Sequence, residues 1–400
     1  MANAKETKTQ EPRESFGQKL SRFFESDGNQ TVVASIVCAG IGLLIGYIAL
    51  LIIAPQGAGK GITTIILNFF NYHNHTLRLK YFGLTLAWTA PLLMCGLAVL
   101  FAYKSGLFNI GAAGQYVVGG GVALLLAFAG MPWYLCLIVA MLAGAAWGAL
   151  VGVLKAFLNV NEVISAIMLN WIGLYMINLL IKNSSGWDGS KYETFSIAVR
   201  YSQASLPGCG LDKWTGSDRA GLAIILAVVF AIVVQIALAR TTFGYELKAT
   251  GNNRNAALYA GMKQKTNIIL TMAISGALAG VGGAFFYLSG LEPYYAPTSV
   301  PGMGFNGISA AFLGGLNPIG TIFAAYFLTH IQQAGSSLDT AYYSAQVSDL
   351  ISAVIVYLCA FVFFFKYLFN KWKAKNKERK EAAASPAVEE IRVGGKKEEN

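Results

Sequence analysis

Apolar runs of about 20 residues recur along this chain, separated by short polar or glycine-rich stretches. Runs at 32–53, 83–103, 113–130, 133–154, 162–181, 220–239, 266–289 and 347–366 each predict a helix. A helix of that length spans a hydrocarbon layer roughly 30 Å thick. Residues 16–24 differ, with Phe16, Leu20, Phe23 and Phe24 at helical spacing around Lys19 and Arg22, which predicts an interfacial helix.

Two stretches break the pattern. Phe108-Asn109-Ile110-Gly111-Ala112-Ala113-Gly114-Gln115 puts polar and glycine residues between two apolar runs. Exposed to lipid, such a break would leave backbone groups unpaired at several kcal/mol each, so it belongs inside protein or beside a cavity. The second break follows from charge. The loop 240–265 holds five Lys/Arg and one Glu, and 366–380 holds seven Lys/Arg and one Glu. With both placed in the cytoplasm, an even number of crossings separates them. Residues 304–331 must then cross twice or not at all. The stretch from Gly304 to Gly320 therefore reads as a short inbound half-helix, a Gly-Gly-Leu-Asn-Pro turn and a longer return. Discontinuous segments of this kind point to a transport pathway.

Composition supports this picture. The 400 residues are 55% hydrophobic and 12% charged, about half the charged share of a soluble domain. The expected organisation is a cytoplasmic N-terminal segment to residue 30, a transmembrane domain over 31–367 and a charged, disordered cytoplasmic tail over 368–400. Residues 183–219 form an external loop, and both termini are cytoplasmic. Five Lys/Arg and five Asp/Glu in the first 30 residues, with no apolar core, argue against a cleaved signal peptide. The net charge of +10 reflects loop placement and attraction to anionic lipid, not nucleic-acid binding. The first outer loop departs from this rule, since Lys60, Arg78 and Lys80 lie there without an acid.

Enzyme chemistry finds little support. Cys38, Cys95, Cys136, Cys209 and Cys359 show no metal or disulfide spacing. His73 and His75 are two residues apart, which does not place them on one helix face. Gly59-Lys60 lacks the Gly at 54 and the Ser or Thr at 61 of a phosphate loop. Gly302-Met303-Gly304-Phe305-Asn306-Gly307 matches a dinucleotide fingerprint in letters, but no βαβ pattern surrounds it. Gly144/Gly148/Gly152 and Gly276/Gly280 read as small faces for close helix packing. The chain is expected neither to be an enzyme nor to bind a cofactor or metal.

Intramembrane polar residues carry more information. Glu162, Ser165 and Asn170 open the run 162–181 and fall within about 140° of one helix face. A charge inside the bilayer is costly, so Glu162 either lines a path or sits at the interface, capping its helix or pairing with Lys155. In the loop 240–265, Asn255-Ala256-Ala257-Leu258-Tyr259-Ala260-Gly261 reads as a short helix ended by glycine, its small residues allowing a partner to approach and Leu258 and Tyr259 able to fill a pocket.

Several of these motifs resemble one family. Ala256-Ala257-x-x-x-Gly261 in a basic loop is similar to the coupling loop of ABC-importer permeases. Phe108-Asn109-Ile110-Gly111-x-x-Gly114-Gln115, Asn161 to Asn170, Phe243 to Ala249 and Gly302 to Ser309 look like the permease subunits of bacterial nucleoside importers, within the branched-chain amino acid and ribose permease class. The likeness spans roughly 83–365. It implies an all-α polytopic type II importer fold of about ten transmembrane segments, two of them interrupted or half-length. It also implies a second permease subunit, a cytoplasmic ABC ATPase, an external substrate-binding lipoprotein and a place in the bacterial cell membrane. Asn109, Gln115, Glu162, Ser165, Asn170, Trp171 and Asn306 would line or brace the substrate pathway. Glu246, Asn255, Ala256, Ala257, Leu258, Tyr259 and Gly261 would couple to the ATPase. Three positions depart from the family pattern: Ala113 where an acid is usual, Asn161 where His is frequent, and Asn255 where Glu is usual. A nucleoside is the expected solute. Simple sugars or other small polar solutes are alternatives, and an ion-coupled secondary transporter is a reading from a different class.

Overall fold

The computed structural model describes residues 27–344 and 346–359, together with positions 361, 364, 367, 368, 370, 371 and 375. The interfacial helix expected at 16–24 lies outside them. Among the described residues the regular structure is helical, apart from one two-residue antiparallel pairing of Trp187–Asp188 with Glu193–Thr194. The tail, expected to lack structure from residue 368, has helical residues at 368, 370, 371 and 375.

The main helices are α1 (Asp27–Ile53), α2 (Ala58–Leu67), α3 (His75–Lys104), α4 (Ala112–Phe128), α5 (Trp133–Leu158), α6 (Glu162–Lys182), α7 (Leu222–Arg240), α8 (Thr242–Asn252), α9 (Arg254–Tyr259), α10 (Gln264–Leu288), α11 (Met303–Leu313), α12 (Pro318–Ala334) and α13 (Gln346–Cys359). Six of the described helices are long and apolar enough to cross a membrane: α1, α3, α5, α6, α7 and α10. α4 and α11 are apolar but shorter. At about 1.5 Å per residue, the 11 residues of α11 reach only about 16 Å, roughly half a span. That is the half-helix expected before the Gly-Gly-Leu-Asn-Pro turn. Leu316 and Gly315 take positive φ there, and the Asn317 side chain accepts from the Ile319 and Gly320 N–H groups to start α12.

The loop expected from 54 to 82 is largely helical instead. It holds α2 and the first turns of α3. Asn74 starts α3 early by accepting from the Thr76 N–H at 2.9 Å, well before the apolar run begins.

α3 and α10 are the core of the bundle, their apolar stretches 83% and 72% buried against 28% for α5 and α7. Glycine makes the tightest crossing possible. A Cβ on Gly276 would lie 3.0 Å from Gly148 Cα, and one on Gly280 would lie 2.7 Å from Ala140 O. α5 and α10 therefore meet backbone to backbone, as their small faces predict. Without a hydrophobic drive between helices in lipid, such dispersion contact is the main attraction.

Two joined helix breaks and a basic loop

The first break follows directly from the end of α3. Ser105 and Gly106 donate backbone hydrogen bonds to Ala102 and Tyr103, and Gly106 adopts φ +73°, a conformation that suits glycine. The chain then runs without regular structure to α4. Its polar groups are satisfied from inside the protein. Asn109 is fully buried, and its Nδ2 donates to Gln115 Oε1 at 2.7 Å and to Ser275 Oγ at 2.6 Å. Ser275 in turn donates to Ala98 O at 2.6 Å. Gln115, also fully buried, returns a hydrogen bond to Asn109 Oδ1 at 3.3 Å.

Asn170 on α6 closes the break from the other side. Its Oδ1 accepts from the Gly114 N–H at 2.8 Å, and its Nδ2 donates to Ile110 O at 3.1 Å. One amide thus pairs an orphan donor of the α4 N-terminus and an orphan carbonyl before it. Gly114 permits this approach, since a Cβ there would lie 2.6 Å from Asn170 Oδ1.

The second break seats on the first. A Cβ on Gly304 would lie 2.5 Å from Ala113 N, and one on Gly307 would lie 2.6 Å from Cys95 Cβ. The start of half-helix α11 therefore rests on the opening turn of α4 and on α3. Ala113 is fully buried under Gly304. Asn306 is half-buried one turn into α11.

Glu162 makes the Lys155 pair offered as its alternative. Its carboxylate pairs with Lys155 Nζ at 2.8 Å, both side chains 15% exposed. Between them the chain reverses at Asn159, which takes the left-handed conformation, and Asn161 caps α6 by accepting from the Val163 N–H at 2.9 Å. Asn161 thus contributes a cap at this turn. Ser165 Oγ bonds its own first turn, to Asn161 O at 3.1 Å and Glu162 O at 3.2 Å. Trp171 lies on the opposite, exposed face of α6, its ring stacked 5.9 Å from Tyr175. Of the seven residues expected along the pathway, Asn109, Gln115 and Asn170 brace the first break, Glu162 and Ser165 sit at the start of α6, Asn306 is half-buried on α11 and Trp171 is exposed.

The basic loop 240–265 forms two short helices. Thr241 caps α8 by accepting from the Gly244 N–H at 3.0 Å, and Asn253 caps α9 by accepting from the Ala256 N–H at 3.0 Å. Glu246 points inward and accepts from Asn267 Nδ2 at 3.2 Å, which ties α8 to α10. Asn255 and Ala256 are exposed, and Ala257 is buried. Leu258 is 57% exposed and Tyr259 92%. Gly261 ends the segment at φ +79°, and a Cβ on it would meet no atom within 4 Å.

The opposite end of the bundle carries a polar cluster without a clear sequence signal. Tyr294 is buried and its hydroxyl donates to Asn178 Oδ1 at 2.6 Å; its backbone O accepts from the Thr194 N–H and its N–H donates to Thr194 Oγ1 at 3.0 Å. Asn178 Nδ2 donates to Pro297 O at 2.9 Å. Burial holds the Tyr294 hydroxyl far above its usual range. The contacts of Thr194 with Tyr294 and of Asn178 with Pro297 are long-range, spanning 100 and 119 residues, and the sequence pattern does not anticipate them.

Comparison with known proteins agrees with this architecture. The chain is 36% identical over 74% of its length to the guanosine ABC transporter permease protein NupP of Bacillus subtilis, covering 85% of that protein. It is 31% identical over 73% of its length to the nucleoside ABC transporter permease protein NupB of Lactococcus lactis, covering 82%. It is 32% identical over 72% of its length to the glucose ABC transporter permease protein TsgB13 of Haloferax volcanii, covering 78%. No solved structure matches the chain. Residues 81–360 match the model of the branched-chain amino acid transport system / permease component family, and the chain belongs to that family of multi-pass membrane permeases.

Proposed function

We propose that this chain is one permease subunit of an ATP-driven importer, moving nucleosides inward from an external binding protein. The observation that carries this reading is the pair of interrupted helices seated on one another through Gly304 and Ala113, their backbone groups satisfied internally by Asn109, Gln115 and Asn170. Broken helices of this kind give a transporter a movable element at membrane depth. The ATPase docks on the exposed Leu258 and Tyr259 of α9, a partnerless apolar pair beside a basic loop.

α6 supports a second permease subunit. Ile164, Met168, Trp171, Ile172, Tyr175 and Leu179 form one exposed apolar face, while Ala166, Asn170, Leu174 and Ile177 are buried. A second permease opposite this face would enclose a path lined on one side by the stacked Trp171 and Tyr175 rings. Aromatic faces with polar edges suit a nucleobase. Two of the relatives named above carry nucleoside or guanosine in their names, which favours this solute. The glucose permease relative favours a sugar as the second reading. The ion-coupled reading loses its main residue, because Glu162 is paired with Lys155 at a helix end.

Uptake of labelled guanosine, adenosine, ribose and glucose into cells lacking only this chain tests the proposal. Nucleoside uptake restored by the chain, and persisting when the proton gradient is collapsed at constant ATP, is the expected result. Restoration of sugar uptake alone overturns the solute. Loss of uptake on collapsing the gradient, with ATP unchanged, overturns the importer class.

A further inference from the structure

We infer that Gly106 and Gly251 form the joint through which movement of the cytoplasmic loop reaches the first helix break. This rests on the importer reading above. Gly251 is the penultimate residue of α8, and it lies directly on the loop that leaves α3. A Cβ on Gly251 would sit 2.7 Å from Ser105 C, 2.8 Å from Gly106 N and 2.9 Å from Lys104 O. A Cβ on Gly106 would sit 3.0 Å from both Gly251 Cα and Gly251 O. Neither position admits a side chain. Two backbones in direct contact have no rotamer between them to absorb a displacement, so a shift of one is passed to the other.

The connections on either side make this contact a link in a chain. α9, with its exposed Leu258 and Tyr259, follows α8 after Asn253 alone. Three residues beyond Gly106 lies Asn109, the centre of the buried network that holds the break. Glu246 ties the middle of α8 to α10 through Asn267, so a force on α9 swings the Gly251 end about that tether.

Two independent features show that this end of α8 has room and cause to move. A cleft of about 340 Å³ opens beside the joint, walled by Tyr103, Lys104, Gly106, Glu162, Gly251 and Asn252. Thr250, next to Gly251, is buried with no hydrogen-bond partner for its Oγ1. A buried hydroxyl left unpaired makes this packing less costly to leave.

Gly106 and Gly251 are therefore positioning residues, acting on transport through Asn109. The test uses the full complex in proteoliposomes, with Gly251→Ala and Gly251→Val, and Gly59→Ala as a control in open space. The ATPase subunit should still co-purify and hydrolyse ATP. Nucleoside delivered per ATP should fall about tenfold, equivalent to about 1.4 kcal/mol of coupling, in the Gly251 variants alone. An unchanged ratio in an assembled complex overturns the joint and leaves the importer reading standing. Failure of the ATPase to associate with the unsubstituted chain overturns both. If the Gly251 variants do not assemble, hydrogen exchange of the unsubstituted complex with and without ATP decides. Coordinated changes in 104–111 and 242–252 support the joint; a change in 242–252 alone overturns it.

Discussion

Removing the Asn170 side chain isolates the energetic role of the first break. In Asn170→Ala the Gly114 N–H and the Ile110 carbonyl both lose their partner. Asn170 is only 2% exposed, so bulk water does not replace it. A buried group left unpaired costs about 1–3 kcal/mol, so the pair should cost roughly 2–6 kcal/mol. With an unfolding entropy of about 2.1 cal/mol/K per residue, one kcal/mol shifts the midpoint of a bundle this size by about 1–2 °C, which sets an expected fall of roughly 3 °C or more. Thermal unfolding of the purified protein in nanodiscs, at one scan rate, reads the difference. The control is Asn183→Ala. Asn183 also bonds a backbone carbonyl, Leu179 O at 2.9 Å, but at an exposed helix end, where a change of under about 0.5 kcal/mol is expected. Equal shifts in the two variants would refute the argument, because they would mean that the break draws no special support from Asn170.

Other expectations follow from single contacts. Breaking the Lys155–Glu162 pair with Glu162→Gln or Lys155→Met should each cost about 1–3 kcal/mol, allowing for partial exposure, while the double variant recovers part of the loss; additive losses in nanodisc melting would argue against a direct pair. Gly276→Val forces a side chain into the α5–α10 crossing, where a Cβ lies 3.0 Å from Gly148 Cα, and should cost about 3 kcal/mol or more. A wild-type yield of monodisperse protein by size exclusion would contradict that contact. Tyr294→Phe removes the donor to Asn178 Oδ1 and should lower stability by about 1–2 kcal/mol without affecting co-purification of the ATPase. Leu258→Asp with Tyr259→Asp should abolish that co-purification while leaving membrane insertion intact, as read by pull-down and membrane fractionation.

Some features were legible because they follow from local rules. The break at 109–115 stands out since polar and glycine residues interrupt an apolar run, and its need for internal partners follows from the solvent. The half-helix at 303–313 emerged from charge counting and a turn sequence. The Lys155–Glu162 pair was visible as an alternative, because the two residues flank one tight turn. Helix α2 and the early start of α3 were missed: Ala58–Leu67 carries no long apolar run, and Asn74 caps a turn that precedes the hydrophobic stretch.

Hydropathy along the chain was therefore enough to set class, approximate helix positions and the first interruption, since transfer into lipid acts on each segment separately, and loop charge added the second. The partners of the break were decided by the fold. Asn109 finds Ser275 across 166 residues, Asn170 finds Gly114 across 56, and Ala113 finds Gly304. A buried amide must have partners, but its own sequence does not say which. That choice belongs to helix packing, where glycine backbones approach within contact distance and leave each polar group only the neighbours that the crossing supplies.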